Sequence, residues 1–191
     1  CRLVHHSDYQ DDNPIDCPLY LECRGKTIHP NGVLTLHLEL PDSVSRKVAK
    51  LEVLLRDMPN IAVAFSGGVD SSVLLKCAVV NCTGKVTAIT AISPSFPALE
   101  REAAREFAAA LACAYLEIET DEMMEPKYVA NQGDRCYYCR RSLFNLARTE
   151  IANKRLGTLC YGAIPDDLGD DRPGMQAAEE LGVRAPLIES G

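Results

Sequence analysis

The stretch that decides the fold of this 191-residue chain is IAVAFSGGVDSS, residues 61–72. Residues 61–65 form a continuous apolar run, as expected of a strand that is buried on both faces of a parallel sheet. The two adjacent glycines that follow allow the backbone to turn sharply. With a helix predicted over 71–80, the stretch indicates a strand, a loop and a helix in direct succession.

Strand and helix patterns continue to alternate on both sides of this stretch. We predict strands at 86–92, 115–119 and 158–162, and helices starting at Ser43 or Ser45 and spanning 96–113, 142–156 and 175–181. Alternation of this kind implies right-handed crossovers, and therefore an α/β fold with a doubly wound parallel sheet. Ligands of such sheets bind beyond the carboxyl ends of the strands.

Composition narrows the class of protein. Hydrophobic residues make up 47 % of the chain and charged residues 25 %, which is enough apolar material for a sizeable core. The formal net charge of -7 argues against a general nucleic-acid binder, because a polyanion requires a basic face. No apolar run is long enough to cross a bilayer, and no secretory signal opens the chain.

The nine cysteines favour a reducing compartment. Their odd number, and the placement of several of them in apolar helical or strand patterns, make a disulfide framework the weaker interpretation. We therefore expect a cytoplasmic protein that uses a few thiols chemically. The chain begins with Cys1 rather than Met, so we expect its true N-terminus to lie upstream or to have been removed.

Residues 1–42 differ from the rest, and we predict an irregular N-terminal extension there, followed by one domain at 43–191. Within the extension, the alternating pattern of 33–40 predicts a half-buried strand. Cys17, Cys23, His29 and His37 are spaced too widely for the usual structural zinc sites, so packing or loop roles are favoured for them. The sequence assigns no role to the extension.

The loop at 66–72 has the chemistry of an anion site. Its glycines bring backbone N–H groups close to a ligand, and the following helix directs its positive N-terminal end at the same point. The hydroxyls of Ser66, Ser71 and Ser72 would add donors. The lysine-bearing loop of phosphoryl-transfer enzymes and the dinucleotide fingerprint are both absent from the sequence. The structural alternative is an ordinary glycine turn before a helix.

A cysteine pair lies in DRCYYCRR, residues 134–141. Cys136 and Cys139 have the spacing of a pair that binds metal, forms a redox disulfide or carries sulfur. The flanking arginines, including Arg135 and Arg140, favour thiolates and attract a phosphate or carboxylate. The alternative is a helix start with incidental thiols and surface arginines.

An acidic loop follows the last predicted strand, at 161–174. Asp167, Asp170 and Arg172 stand among its aspartates and glycines, a composition that suits Mg²⁺ and anion binding. The alternative is that Asp and Gly simply favour loops.

The loop at 66–72 resembles the PP-loop of the adenine-nucleotide α-hydrolase (HUP) superfamily. That resemblance implies that ATP is cleaved between its α and β phosphates, so that AMP remains on the substrate. The residues that hold the departing pyrophosphate would be Ser66, Gly67, Gly68, Val69, Asp70, Ser71 and Ser72. Asp70 would also lie near Mg²⁺.

The motifs taken together resemble one family within that superfamily. They are the loop, the DRCYYC segment, the stretch DDLGDDRPG at 166–174 and the ending LGVRAPL at 181–187. They are similar to the LarE-type pyridinium-3,5-biscarboxylic acid mononucleotide sulfurtransferases, which serve synthesis of the nickel-pincer nucleotide. The resemblance covers residues 43–191.

That resemblance implies an adenylated carboxylate whose AMP is replaced by sulfur to give a thiocarboxylate, with ATP and Mg²⁺ as cofactors. Some members sacrifice a cysteine sulfur, and others hold a [4Fe-4S] cluster through three cysteines. Cys136 and Cys139 match the cluster pair, and the third cysteine would follow Gly191. The implied roles are catalysis for Cys136, Cys139 and Asp70, substrate binding for Arg135, Arg140 and Arg172, and Mg²⁺ binding for Asp70, Asp167 and Asp170.

Other functions stay open at this point. One is a different adenylating ligase with the same loop, of the amidotransferase or tRNA-thiolating type, and another is a non-catalytic nucleotide-binding fragment. The chain lacks the rest of the family's C-terminal region, so we expect the chain as given to bind ATP without completing sulfur transfer. We expect a small-molecule pyridinium mononucleotide as partner rather than nucleic acid or membrane. A homo-oligomer is compatible with the sequence, which does not fix the oligomeric state.

Overall fold

The fold was analysed in a computed structural model of the chain. The structure describes residues 2–5, 19–23, 26–28, 34–36, 40–93, 96–120, 135–169 and 173–191. Two compact units are distinguished, Cys1–Ser45 and Arg46–Gly191. Among the described residues, no helix is both long enough and apolar enough to cross a membrane.

The first unit contains an antiparallel sheet in the order β1-β2-β3-β4. Its strands are β1 (Arg2–His5), β2 (Leu19–Cys23), β3 (Lys26–Ile28) and β4 (Leu34–Leu36). The strand predicted at 33–40 corresponds to the shorter β4, whereas the other strands were not predicted. Cys17, His29 and His37 lie outside the described residues, so the zinc alternative stays untested.

The second unit alternates strands and helices after an initial helix. In chain order its elements are α1 (Asp42–Arg56), β5 (Ile61–Ala64), α2 (Val69–Asn81), β6 (Val86–Ile92), α3 (Ala98–Ala110), β7 (Ala114–Glu119), α4 (Arg135–Lys154), β8 (Thr158–Tyr161), a 3₁₀ helix (Pro165–Gly169), α5 (Pro173–Glu180) and α6 (Pro186–Ser190).

A parallel sheet in the order β7-β6-β5-β8 forms the centre of this unit. Ile61 of β5 pairs with Val86 of β6 on one side and with Thr158 of β8 on the other. The chain thus winds from β5 through β6 to β7, and then returns to place β8 on the free side of β5. The predicted doubly wound α/β sheet is confirmed, and its switch point lies between β5 and β8.

Each face of the sheet carries its own core. On one face, side chains of α1, α2 and α3 such as Leu55, Leu74 and Ala108 pack against alternate residues of β5. On the other face, Phe144 of α4 packs with β5, β6, β7 and β8, and parts of α5 and α6 join it. Because β5 is covered on both sides, its residues are almost all apolar, as the sequence run suggested.

An ion-pair cluster secures α3 to β7. The carboxylate of Glu117 accepts hydrogen bonds from Nε of Arg101 at 3.0 Å and from Nε of Arg105 at 2.7 Å. These two hydrogen bonds lower the pKa of Glu117 from 4.5 to about 2. Since the pKa is depressed on folding, the cluster stabilises the protein fully above pH 4.5, and this contribution disappears as the pH falls toward about 2.

We expect Glu117→Gln to lower the free energy of unfolding at pH 7 by about 1 kcal/mol, because both arginines are partly exposed and solvent screens the pair. The difference from the parent should shrink steadily as the pH is lowered from 4.5 toward 2. Urea denaturation at a series of pH values measures it. Glu102→Gln, which removes only a 3.7 Å contact to Arg105, is the control and should change little. An equal loss at every pH would show that the charge of Glu117 is irrelevant.

Candidate functional site

The glycine loop joins β5 to α2 as predicted. Gly67 has a φ of 79°, in the left-handed region that favours glycine, and Gly68 is extended and precedes the first residue of α2. The first N–H groups of an α-helix have no acceptor within the helix. The loop therefore presents backbone donors at the positive end of α2, beside the carboxyl edge of the sheet.

Hydroxyl groups brace this loop from within. Ser71 and Ser72 each donate a hydrogen bond of 2.9 Å from Oγ to the carbonyl oxygen of Gly68. The backbone N–H of Gly68 donates to Oγ of Ser66 at 3.4 Å, and Oγ of Ser66 lies 3.3 Å from Oγ of Ser71. The serine hydroxyls thus fix the shape of the loop, and backbone amides are left as its principal anion donors. Direct contact of the hydroxyls with phosphate stays a prediction.

Gly162 brings β8 into contact with the loop. A Cβ atom on Gly162 would lie 2.6 Å from the backbone nitrogen of Ser71 and 2.8 Å from its Cα. These are rigid backbone atoms at the start of α2, so no other residue fits without moving the helix. The sequence places Gly162 at the end of the strand predicted at 158–162 and in the acidic loop, and assigns it no role. Its contact depends on the pairing of β8 with β5, which the local sequence does not reveal.

A cavity of about 430 Å³ opens at the carboxyl edge of the sheet, at the switch point. Its wall combines backbone and side chains from the ends of β5, β6, β7 and β8 with one face of α4. The polar or ionisable residues that line it are Ser66, Asp70, Ser71, Thr90, Ser93, Thr120, Cys139, Arg140, Tyr161 and Asp167.

The cavity gathers predicted residues from three separate motifs. Asp70 of the PP-loop, Cys139 and Arg140 of the cysteine segment and Asp167 of the acidic loop all line it. Asp167 is oriented by its Oδ2, which accepts a 3.0 Å hydrogen bond from the backbone N–H of Ile164. Residues distant in sequence therefore surround one space.

Other predicted residues are placed differently. Cys136 lies one helical turn before Cys139, is exposed and is not part of the cavity lining. Val69 begins α2 with 78 % of its surface exposed. Arg135 is the first residue of α4, and its side chain lies outside the described part of the structure, as do Asp170 and Arg172. Their roles stay predictions.

Two threonines that sequence reasoning missed lie at strand ends in the cavity wall. The hydroxyl of Thr90 donates to the carbonyl oxygen of Phe65 at 2.8 Å, and Thr120 follows β7. Both are buried. Their position at the carboxyl ends of predicted strands was the signal that could have identified them.

Burial affects three thiols outside the cysteine pair. It raises the pKa of Cys77 and Cys113, and it raises the pKa of Cys160 to about 12. All three are free thiols: Cys160 is buried in the apolar core, and Cys77 and Cys113 are half-buried against it. A thiol with a raised pKa is seldom a thiolate and is therefore a poor nucleophile or metal ligand.

Sequence comparison places the chain among named proteins. Pyridinium-3,5-bisthiocarboxylic acid mononucleotide synthase of Lactiplantibacillus plantarum (strain ATCC BAA-793 / NCIMB 8826 / WCFS1) is 32 % identical over 149 residues, which are 78 % of this chain and 54 % of the synthase. The chain is a homologue of this LarE-type synthase. The resemblance found in its motifs is thus confirmed, although no family model matches the chain. The LarE-type homologue spans about half the length of the curated relatives it matches.

Solved structures confirm the predicted PP-loop fold. NMN synthetase from Francisella tularensis matches with a TM-score of 0.57 at 17 % identity, over 75 % of this chain and 64 % of that one. The U34-tRNA thiolase NcsA from Methanococcus maripaludis, solved with its [4Fe-4S] cluster, matches with a TM-score of 0.52 at 20 % identity, over 76 % of this chain and 59 % of the thiolase. At these identities the likeness concerns the fold alone.

The carboxylates of the LarE-type homologue fit a Mg²⁺ that accompanies ATP. Such an ion takes one or two protein carboxylates and completes its shell with phosphate oxygens and water. Asp70 and Asp167 are both partly exposed and line the cavity next to the loop. They would supply the protein oxygens.

The cysteine pair fits an iron–sulfur cluster only in part. Cys136 and Cys139 are three positions apart on α4, so their side chains share one helix face. Within the described ranges, no group of three or more His, Cys, Asp or Glu side chains is placed to hold a metal. The pair would therefore offer two sulfur ligands, and a third ligand would come from elsewhere.

We expect Gly162→Ala to weaken ATP binding at least about tenfold, because the new methyl group overlaps the backbone at Ser71 and displaces the first turn of α2. Isothermal calorimetry with Mg–ATP measures this. Gly182→Ala is the control for a general loss of stability, since its φ of 65° strains an alanine although its Cβ would meet nothing within 4 Å. Unchanged ATP affinity in a folded Gly162→Ala protein would show that the contact does not set the loop geometry.

Proposed function

We propose that the LarE-type homologue carries the adenylation site of an ATP-dependent sulfurtransferase that converts a pyridinium carboxylate into a thiocarboxylate, for nickel-pincer nucleotide synthesis. One observation carries the proposal. The PP-loop, which suits the pyrophosphate of ATP, shares a single cavity with Cys139 and Arg140. Homology to the synthase supports this substrate class.

Adenylation would proceed by attack of a substrate carboxylate oxygen on the α-phosphorus of ATP. The bond from the α-phosphorus to the bridging oxygen breaks, and pyrophosphate departs with the bonding electrons. The first backbone N–H groups of α2, at 69–71, and the positive end of that helix stabilise the negative charge that develops on it. A Mg²⁺ held by Asp70 and Asp167 would neutralise part of the same charge.

Sulfur transfer would replace AMP at the activated carboxyl carbon. A hydrosulfide ion attacks this carbon, the carbon–oxygen bond to AMP breaks, AMP leaves as its phosphate anion, and loss of the proton on sulfur gives the thiocarboxylate. Cys139 places a thiol in the cavity wall, one turn after the exposed Cys136. If a [4Fe-4S] cluster is bound by the pair, it supplies the sulfur.

We expect Asp70→Asn to reduce exchange of labelled pyrophosphate into ATP about a hundredfold or more, since it removes a carboxylate that would contact Mg²⁺ at the leaving group. The assay uses Mg–ATP and pyridinium-3,5-biscarboxylic acid mononucleotide. Asp166→Asn is the matched control, because Asp166 is exposed and lies outside the cavity lining. Exchange at the parental rate in Asp70→Asn would refute the assignment of Asp70.

We expect Cys136→Ser and Cys139→Ser to preserve pyrophosphate exchange within about twofold and to abolish thiocarboxylate formation in the full-length protein. Mass spectrometry of the mononucleotide detects the replacement of oxygen by sulfur. Cys77→Ser, which alters a half-buried thiol of raised pKa, is the control and should retain activity. Thiocarboxylate formed at the normal rate by both pair variants would make the pair structural only.

A further inference from the structure

Arg140 occupies a narrow position between an aromatic ring and a glycine. Its guanidinium carbon lies 5.7 Å from the centroid of the Tyr161 ring, which is within the range of a cation–π interaction. On another side, a Cβ atom at Gly174 would lie 2.6 Å from Cδ, 3.0 Å from Nε and 3.1 Å from Nη1 of Arg140. The side chain thus fills the space that any residue larger than glycine would need.

The aromatic side of this position is rigid. Tyr161 ends β8 and is only 7 % exposed, and its ring meets that of Phe144 edge to face at 5.7 Å. Phe144 belongs to α4, the helix that also carries Arg140, and is itself buried. The ring therefore cannot swing away from the guanidinium without disturbing the core.

The charge of Arg140 is available to a ligand. Within the described ranges, the arginines at 101, 105 and 184 each pair with a glutamate, whereas no ion pair involves Arg140. Arg140 nevertheless lines the cavity, directly after Cys139. A guanidinium that is fixed in a cavity wall and makes no ion pair with the described residues is suited to bind an incoming carboxylate through paired N–H groups.

We propose that Tyr161 and Gly174 are positioning residues, which hold the Arg140 guanidinium as a seat for a carboxylate of the acceptor substrate beside Cys139. This inference rests on the proposed function. The acceptor carboxylate is favoured over the ATP phosphates because the loop amides already provide for the phosphates, and because the reacting carboxyl must lie close to the sulfur. Sequence reasoning named Arg140 as a substrate ligand but gave no role to Tyr161 or Gly174.

The test compares Gly174→Ala, Tyr161→Leu and Tyr161→Phe in the full-length protein. We expect the first two to raise KM for pyridinium-3,5-biscarboxylic acid mononucleotide about tenfold, as expected for a displaced charged hydrogen bond, and to leave KM for ATP within about twofold. Tyr161→Phe retains the ring and should raise this KM less than Tyr161→Leu does. Gly182→Ala is the glycine control.

A second measurement separates this inference from the proposed function. Isothermal calorimetry measures the affinity of pyridine-3,5-dicarboxylate for the parent and for Gly174→Ala, both saturated with Mg–ATP. This binding measurement does not depend on turnover. Weaker binding to Gly174→Ala supports the role of Gly174 in positioning Arg140, even if the parent releases no pyrophosphate. The absence of pyrophosphate release would refute only the proposed function. Any of three results would overturn the inference about Tyr161 and Gly174. They are equal or absent binding of pyridine-3,5-dicarboxylate in both proteins, a rise in KM confined to ATP, and an equal rise in KM in Tyr161→Phe and Tyr161→Leu.

Discussion

The close contact between Gly162 and the first turn of α2 is the constraint on which the rest of the site depends. It exists because β8 pairs in parallel with β5, which brings the end of β8 beside the glycine loop. The preceding residue, Tyr161, then lies under Arg140. The pairing of β8 with β5 therefore fixes the position of the glycine loop relative to the Arg140 side chain on α4, without a flexible segment between them.

Much of the second unit could be predicted because its strands are buried on both faces and its glycines follow a strand directly. The residues 86–92 were predicted as a strand and form β6 with the same bounds. The start of α4 was predicted too late, at 142 rather than at Arg135, because RCYYCRR carries no apolar stripe. Nothing local marks Gly162 or Gly174, since their importance arises from contacts with distant segments.

The described cysteines on the two faces of the parallel sheet lie in different surroundings. Cys77, Cys113 and Cys160 lie with the core under α1, α2 and α3, where burial keeps them protonated. Cys136 and Cys139 lie on α4, across the sheet, where Cys139 lines the cavity and Cys136 is exposed. Among the cysteines that the structure describes, Cys139 is the one that lines the cavity.

The exposed Val69 has a consequence for how this loop tolerates variation. Its side chain faces solvent, so its contribution to an anion site is the peptide group that any amino acid except proline provides. In a saturation library selected for nucleotide retention, position 69 should accept most side chains, while its neighbours at 67 and 162 remain invariant. The group that position 69 offers to an anion is its backbone N–H. Truncation of the side chain at position 69 would therefore leave this donor unchanged.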